Sequence, residues 1–334
     1  MIEVLAPGPY ATVQDLGRPG YAHLGVPRSG AADAPSLRLA NRLVGNAEGL
    51  AGIELTFGGA WLRFHDGGWA ALAGAPVTVA VAPGGEGTGP LEAARRAGAR
   101  AGMGVPFWVP AGAELRLGTP AWGLRTYLAV RGGIAAEPVL GSRSTDSLSG
   151  LGPEPLRAGA LLPVGPHRGD TAGGVVAGTA GGVVAGTAGG VVAGTAAGTA
   201  AGIVGGIVAD LAPLPGPRPA VLRVLPGPRD DWFTRDATEA LCAGPYVVSQ
   251  DSNRVGVRLS GPELVRAMEG ELPSEGMVAG AVQVPPSGQP IVFLADHPPT
   301  GGYPVIAVVT AADLPVAAQL RPGDEVRFTG RPAR

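Results

Sequence analysis

Short apolar runs separated by turn residues dominate this chain. The runs are four to eight residues long, and glycine or proline interrupts them at short spacing. This pattern favours β-strands that form barrels or sandwiches. The runs that predict strands are WLRF (61–64), VTVAV (77–81), FWVP (107–110), LRTYLAV (124–130), VLRVL (221–225), YVVS (246–249), MVAGAVQV (277–284), IVFLA (291–295) and VIAVV (305–309).

Helical patterns are few. Residues 33–46 carry apolar positions four apart, Leu39 and Leu43, and end at Gly45, which predicts a helix. Residues 230–244 predict a second helix that ends before Gly244. Residues 261–269 and 313–320 each predict one or two helical turns. The fold class expected from these patterns is therefore mainly β, with a few short helices.

The length and one unusual segment set the expected domain organisation. A chain of 334 residues suggests two domains. Between them the octapeptide AGGVVAGT occurs three times, at 172–179, 180–187 and 188–195. We interpret 166–216 as a low-complexity Gly/Ala/Val/Thr linker or insertion. It separates a β-rich N-terminal half (1–165) from a C-terminal half (217–334).

Charge and rare residues exclude several classes of function. The formal net charge is −2, so no basic surface indicates nucleic-acid binding. Nothing in the first residues indicates a signal peptide, and neither a membrane span nor a metal site is predicted. The single cysteine, Cys242, suits a reducing cytoplasm. No lysine occurs, which excludes a covalently attached biotin or a lysine base on this chain.

Four polar segments could carry chemistry. They are TVQDLGRPGYAHLGVPRSGAAD (12–33), VLGSRSTDSLSG (139–150), SQDSNRVGVRL (249–259) and LADHPPTGGYP (294–304). The last places Asp296 at the end of an apolar run and adjacent glycines shortly after it, where backbone amides can approach a ligand closely. Each segment has a simpler alternative. The first could be an irregular loop, the second a capped turn with Arg143 paired internally, and the third an ordinary hairpin turn. For His297 we favour a structural role.

Together with ordered motifs such as RLANRLVGN (38–46), IELTFGG (53–59), GLRTYLAVRGG (123–133) and RVLPGPRDDWF (223–233), these segments resemble a known family. It is the biotin-dependent carboxyltransferase family that includes the C subunit of 5-oxoprolinase, also called the KipA-like or allophanate hydrolase subunit 2 family. The resemblance covers nearly the whole chain except about 165–215. One departure is Pro298-Pro299-Thr300, where the family commonly has Gln-Thr-Thr.

The resemblance implies cyclophilin-like β-barrel subdomains and a multi-subunit enzyme. Its partners would be the B subunit, which is KipI-like, and the A subunit, and the complex would open 5-oxo-L-proline to L-glutamate with ATP. The chain would not be active alone. ATP would be used through the partner subunits, and biotin would be possible only on another chain. The alternatives are the carboxyltransferase half of a urea-carboxylase-like enzyme, and a KipA-like antagonist of a sensor histidine kinase inhibitor.

The clustered polar residues and the family resemblance together suggest a candidate site for an amide or lactam substrate. We expect Asp296, Asn253 and Arg254 to be catalytic and to converge on one concave surface. Donors placed there would stabilise a developing oxyanion. The expected substrate-binding residues are Thr300, Gly301, Gly302, Tyr303, Gln283, Gln14, Arg18, Arg143 and Ser144.

Overall fold

The computed structural model describes residues 1–84, 101–166, 203–204, 207–208, 220–268, 270 and 272–330. Its contacts form two compact units. The first comprises Met1–Leu16, Pro35–Thr145 and Gly152–Gly216, and the second comprises Gly17–Ala34, Asp146–Leu151 and Pro217–Arg334. Two segments from the N-terminal part of the sequence thus belong to the second unit. The division at 165 and 216 stays a prediction.

The first unit is built on two five-stranded antiparallel sheets with the strand orders β10-β1-β4-β8-β6 and β2-β3-β9-β5-β7. Both sheets contribute to one apolar core, so this unit is a β-sandwich. The elements are β1 (Ile2–Ala6), β2 (Tyr10–Gln14), α1 (Ala34–Leu43), β3 (Gly52–Thr56), β4 (Trp61–Phe64), β5 (Gly68–Gly74), β6 (Val79–Ala82), β7 (Pro106–Val109), β8 (Glu114–Leu117), β9 (Arg125–Val130) and β10 (Leu161–Leu162).

Side-chain alternation explains how these strands form the sandwich. In β1, Ile2 and Val4 are buried, whereas Glu3 between them is partly exposed. In β4, Leu62 and Phe64 are buried in the same manner. All six residues of β9 are buried, which is the pattern of a central strand covered on both faces.

The second unit is built on a closed seven-stranded barrel with the order β13-β20-β17-β18-β15-β14-β21. The pair β13–β21 is parallel, and the other neighbours are antiparallel. Two short strands, β11 (Ile203–Val204) and β12 (Ile207–Val208), fall within the Gly152–Gly216 part of the first unit. The elements of the second unit from 220 onward are β13 (Ala220–Pro226), α2 (Arg235–Ala243), β14 (Tyr246–Val248), β15 (Gly256–Ser260), β16 (Glu275–Gly276), β17 (Ala281–Gln283), β18 (Ile291–Phe293), β19 (Thr300–Gly301), β20 (Val305–Val309), α3 (Leu314–Ala318) and β21 (Glu325–Gly330).

The barrel encloses the core of the second unit. Val224, Val248, Val292 and Phe328 are buried in one cluster, and Leu241 of α2 packs into it. The expectation of a mainly β fold with a barrel is therefore confirmed. The barrel itself lies in the C-terminal part of the sequence.

The apolar runs became strands with one exception, and one helical prediction is wrong. MVAGAVQV forms a strand only at β17, because Gly280 adopts a φ of +89°, outside the extended region. The helical turns predicted at 261–269 are wrong for the described residues 261–268, which are irregular apart from a bridge between Arg266 and Phe233.

The octapeptide repeats at 172–195 lie outside the described residues. Just beyond them β11 and β12 pair as a short antiparallel hairpin, with Ile203 opposite Val208. In the part of the chain that the structure describes, no helix has the length and apolar character needed to span a membrane.

A carboxylate outside the barrel core ties β13 to the start of α3. Asp313 accepts hydrogen bonds from Arg223 Nε at 2.8 Å and Arg223 Nη2 at 2.7 Å, and the Arg223 backbone N–H adds a third at 2.8 Å. The Arg223 side-chain hydrogen bonds are the main cause that lowers the pKa of Asp313 to about 2. Asp313 is therefore charged over the whole neutral and mildly acidic range.

This depressed pKa makes stability depend on pH. Because the folded pKa lies below the unfolded value of about 3.9, the contribution is present above pH ~4 and is lost as pH falls through 2. We expect Asp313→Asn to lower the free energy of unfolding by about 1 kcal/mol at pH 6, a modest value because Arg223 is largely exposed. Urea titrations at several pH values should show this difference shrinking towards pH 2. The exposed Asp251→Asn is the control, and an equal difference at every pH would contradict the prediction.

Candidate functional site

Asp296 lies in a turn shortly after β18, and its carboxylate meets Arg254 from the turn before β15. Arg254 Nε is 2.8 Å from Oδ2 of Asp296, and Arg254 Nη2 is 2.9 Å from Oδ1. This is a bidentate ion pair, the strongest geometry for these two groups. The prediction that positions 254 and 296 converge is confirmed.

Two serines also donate hydrogen bonds to the carboxylate of Asp296. Ser29 Oγ donates to Oδ1 at 2.7 Å. Ser147 donates to Oδ2 twice, from Oγ at 2.6 Å and from its backbone N–H at 3.0 Å. Sequence reasoning missed both serines as partners of Asp296. The available signal was that they stand in two of the four polar segments. All four segments therefore contribute to this one carboxylate, which we call the Asp296 hub (Ser29, Ser147, Arg254, Asp296).

The hub is built to hold a charged carboxylate. Burial raises the pKa of Asp296, but the charge and hydrogen bonds of Arg254, with the hydroxyls of Ser147 and Ser29, outweigh it, so this pKa lies below its ordinary value. At neutral pH the group is an acceptor and carries no proton to donate. Arg254 Nη2 also donates a 2.6 Å hydrogen bond to the carbonyl oxygen of Gly30.

The expectation that these side chains line an open concave surface does not match the structure. Asp296 has 0% and Arg254 2% of its surface exposed, because four donor groups and the surrounding chain enclose the carboxylate. A hollow of about 270 Å³ in the same unit is lined by other residues, from α2, β13 and β20. A direct catalytic contact of Asp296 or Arg254 with substrate stays a prediction.

Asn253 forms the turn that was the alternative interpretation of its segment. Its Oδ1 accepts hydrogen bonds from the backbone N–H of Val255 at 2.8 Å and of Gly256 at 3.4 Å, and the side chain is exposed. Such an Asx turn fixes the backbone directly before Arg254 enters the interior. Asn253 is thus a surface residue that directly precedes Arg254 of the hub in the sequence.

The TGGY segment (300–303) begins as β19, which pairs with β16. Gln283, only 5% exposed, donates from Nε2 to the carbonyl oxygen of Tyr303 at 3.1 Å. A Cβ on Gly301 would lie 2.7 Å from that same Nε2, so a larger residue there would displace the end of the Gln283 side chain. Thr300 and Tyr303 are exposed, and Gly302 is partly so. Solvent therefore reaches this segment, while the buried Gln283 side chain holds its backbone by the hydrogen bond to Tyr303.

The contacts of His297 are those expected of the structural role favoured from the sequence. Its Nδ1 donates to the carbonyl oxygen of Pro298 at 2.9 Å, and the ring stacks on Phe293 at a centroid distance of 6.0 Å. Burial is the main cause that lowers the pKa of His297. The imidazole is therefore neutral at pH 7.

Three further predicted residues belong to the first unit and make contacts inside it. Ser144 Oγ donates to Asp15 at 2.6 Å, and Ser142 Oγ donates to the same oxygen at 2.6 Å. The backbone N–H of Arg143 donates to the other Asp15 oxygen, and Arg143 Nε donates to a carbonyl oxygen, that of Ala136, at 2.7 Å. This is the capped turn that was the alternative interpretation of the segment. Gln14 is fully buried and donates from Nε2 to the Thr145 carbonyl oxygen at 2.9 Å.

Arg18 is the fourth member of that predicted group, and it lies in the second unit. Its Nη1 is 3.7 Å from Oδ2 of Asp146, and both side chains are 0% exposed. Asp146 in turn accepts hydrogen bonds from Ser149 and from the backbone N–H of Leu148. The substrate-binding roles of Gln14, Arg18, Arg143 and Ser144 stay predictions.

Comparisons with known proteins agree with this arrangement of motifs. A family model described as carboxyltransferase domain, subdomain A and B, matches residues 24–330. The chain is 35% identical to the C subunit of 5-oxoprolinase from Escherichia coli (strain K12), over 98% of this chain and 90% of that protein. It is similar to the crystal structure of TTHA0988, with 36% identity and a TM-score of 0.75, and to that of Kluyveromyces lactis urea carboxylase, with 28% identity and a TM-score of 0.77. The chain is covered to 98% in both comparisons but spans only 55% and 27% of those solved chains.

Proposed function

The chain belongs to the carboxyltransferase-domain family, subdomains A and B, and we propose that it acts as the C subunit of an ATP-dependent 5-oxoprolinase-type complex. In that complex it completes, with the KipI-like B subunit, the site where 5-oxo-L-proline is opened to L-glutamate. The observation that carries the proposal is the end-to-end similarity to the C subunit of a 5-oxoprolinase, over 98% of this chain and 90% of that protein.

The composition of the chain supports a role that depends on partners. With no lysine in the sequence, this chain offers no attachment point for biotin and no lysine for a nucleotide phosphate. ATP would therefore be used through the partner subunits, and any biotin would arrive on another chain. The TTHA0988 chain is nearly twice as long as the part matched here, which fits a unit that works beside a further polypeptide segment.

The geometry supports separate roles in the candidate site, with buried residues that position the segments and exposed groups that contact substrate. The Asp296 hub is buried, and its carboxylate is hydrogen-bonded to Ser29, Ser147 and Arg254, which supports a role in positioning the four polar segments. Contacts to the lactam would come from groups that solvent reaches, namely Asn253 and the TGGY segment. The backbone amides of its two glycines and the hydroxyls of Thr300 and Tyr303 are donors suited to a developing oxyanion.

Hydrolysis of the lactam needs such donors for a chemical reason. Water adds to the ring carbonyl, the C–N bond breaks, and the nitrogen takes a proton to give the amino group of glutamate. Negative charge develops on the carbonyl oxygen as water adds, so fixed donors lower the barrier. The buried Asp296 carries no proton at neutral pH and is not the acid of this reaction.

Reconstitution tests the proposal. The chain is purified together with A and B subunits of the 5-oxoprolinase type, and glutamate formed from 5-oxoproline is measured with and without ATP. We expect ATP-dependent glutamate formation that is lost when this chain is left out. Carboxylation of urea by the same mixture plus a biotin carrier, without ring opening of 5-oxoproline, would instead support the urea-carboxylase-like alternative.

A further inference from the structure

One loop of the second unit is closed at its base and exposed at its tip. The backbone N–H of Arg18 donates to the carbonyl oxygen of Arg28 at 2.8 Å and closes the loop 19–27. Inside it, a 3-10 turn, Ala22–Leu24, buries none of its residues. We call residues 18–28 the clamped loop.

Buried charges hold the base of this loop. Ser29, directly after it, donates to Asp296, and Arg254 donates to the carbonyl oxygen of Gly30. On the other side the Arg18–Asp146 pair is fully buried. Ser29 adopts a φ of +53°, a conformation that is unfavourable for a non-glycine residue, and the hydrogen bond to Asp296 helps to hold it there.

The tip of the loop exposes apolar surface. Leu24 is 64% exposed, the largest value among the large hydrophobic side chains of the described residues that reach the surface. It sits among exposed or partly exposed neighbours, Tyr21, His23 and Arg28. A rigid base reduces the entropy lost on binding, and leucine, tyrosine and arginine supply buried area and directional contacts to a partner. The buried polar groups thus fix a loop that contributes little to the core of its own unit.

We propose that the clamped loop is a docking surface for the KipI-like subunit, which would receive Leu24 in an apolar pocket and meet Arg28 with an acidic side chain. This inference rests on the proposed function. A protein fits better than the lactam, because a leucine exposed to this extent gains stability by apolar burial, whereas the substrate is a small polar ring. The further length of the TTHA0988 chain also favours a polypeptide neighbour.

The experiment compares two leucines of the same unit with similar exposure. Leu24→Asp changes the loop tip, and Leu225→Asp changes a side chain that is 61% exposed on β13. The affinity of each full-length variant and of the wild type for the purified KipI-like subunit is measured by biolayer interferometry. Circular dichroism and thermal unfolding check that each variant is folded, which is expected because neither side chain is in the core.

We expect Leu24→Asp to weaken binding to the KipI-like subunit by at least about thirtyfold, the size of an interface hot spot, and Leu225→Asp to change it less than about twofold. Arg28→Ala should weaken binding by a smaller factor and reduce its dependence on salt. Wild-type binding with an unaffected Leu24→Asp variant would overturn the docking surface and leave the proposed function standing. Absence of wild-type binding to the KipI-like subunit would overturn both.

Discussion

Replacing Asp296 with alanine is expected to destabilise the protein by about 3–5 kcal/mol. The variant leaves the guanidinium of Arg254 buried and without its carboxylate, and breaking a buried ion pair from one side costs about this much. It also removes the acceptor of Ser29 and Ser147. Urea unfolding followed by circular dichroism measures the loss, with the exposed Asp251→Ala as the matched control.

A double variant separates the charge from the packing. Removing both partners, as in Asp296→Leu combined with Arg254→Met, takes away the uncompensated charge, so the combined loss should be smaller than the sum of the two single losses. If the free energy of unfolding of the single Asp296→Ala variant lay within about 1 kcal/mol of the wild-type value, the structural role of the hub would be contradicted.

Activity of partly destabilised variants then tests whether the hub positions or reacts. Ser147→Ala removes one hydroxyl donor but keeps the backbone N–H bond to Asp296. If the hub acts by positioning, we expect this variant to raise KM for 5-oxoproline more than it lowers kcat, under conditions where the complex is folded. A loss confined to kcat, with KM unchanged, would instead indicate a contact made in the transition state.

The strands were predictable to the extent that their apolar runs were continuous. Runs such as IVFLA and VIAVV became β18 and β20, each of which pairs with a barrel strand on both sides. By contrast, β16 and β19 have two residues each, and no periodicity exists over so short a length. These two strands form because the tertiary structure brings residues 275–276 beside residues 300–301, where they pair. This pairing fixes the start of the TGGY segment.

The hub was predictable only in part for a similar reason. An acid at a strand end and an arginine in a turn are chemically conspicuous, so Asp296 and Arg254 could be chosen from the sequence. Ser147 lies 149 residues from Asp296 along the chain, and a serine in a polar segment carries no sign of so distant a partner. The burial of Asp296 could not be predicted either, since a carboxylate before a glycine-rich turn is equally compatible with a surface position and an interior one.

Replacing Gly17 with alanine is the second large effect that we expect, with a loss of about 3 kcal/mol in the free energy of unfolding. Gly17 adopts a φ of +81°, and a methyl group there would lie 2.6 Å from the carbonyl oxygen of Ser29 and closer still to that of Arg28. Both oxygens are backbone atoms at the base of the clamped loop, so they can move only if the Arg18–Arg28 closure and the Ser29–Asp296 bond are disturbed.

Gly25, at the tip of the same loop, provides the matched control. Its φ is +75°, but a methyl group there meets no atom within 4 Å, so Gly25→Ala should cost only about 1 kcal/mol for the left-handed conformation. The difference between the two variants therefore isolates the collision at the base. If urea unfolding gave equal losses for Gly17→Ala and Gly25→Ala, the base of the loop would be free to relax, and the argument that buried contacts hold it rigid for docking would fail.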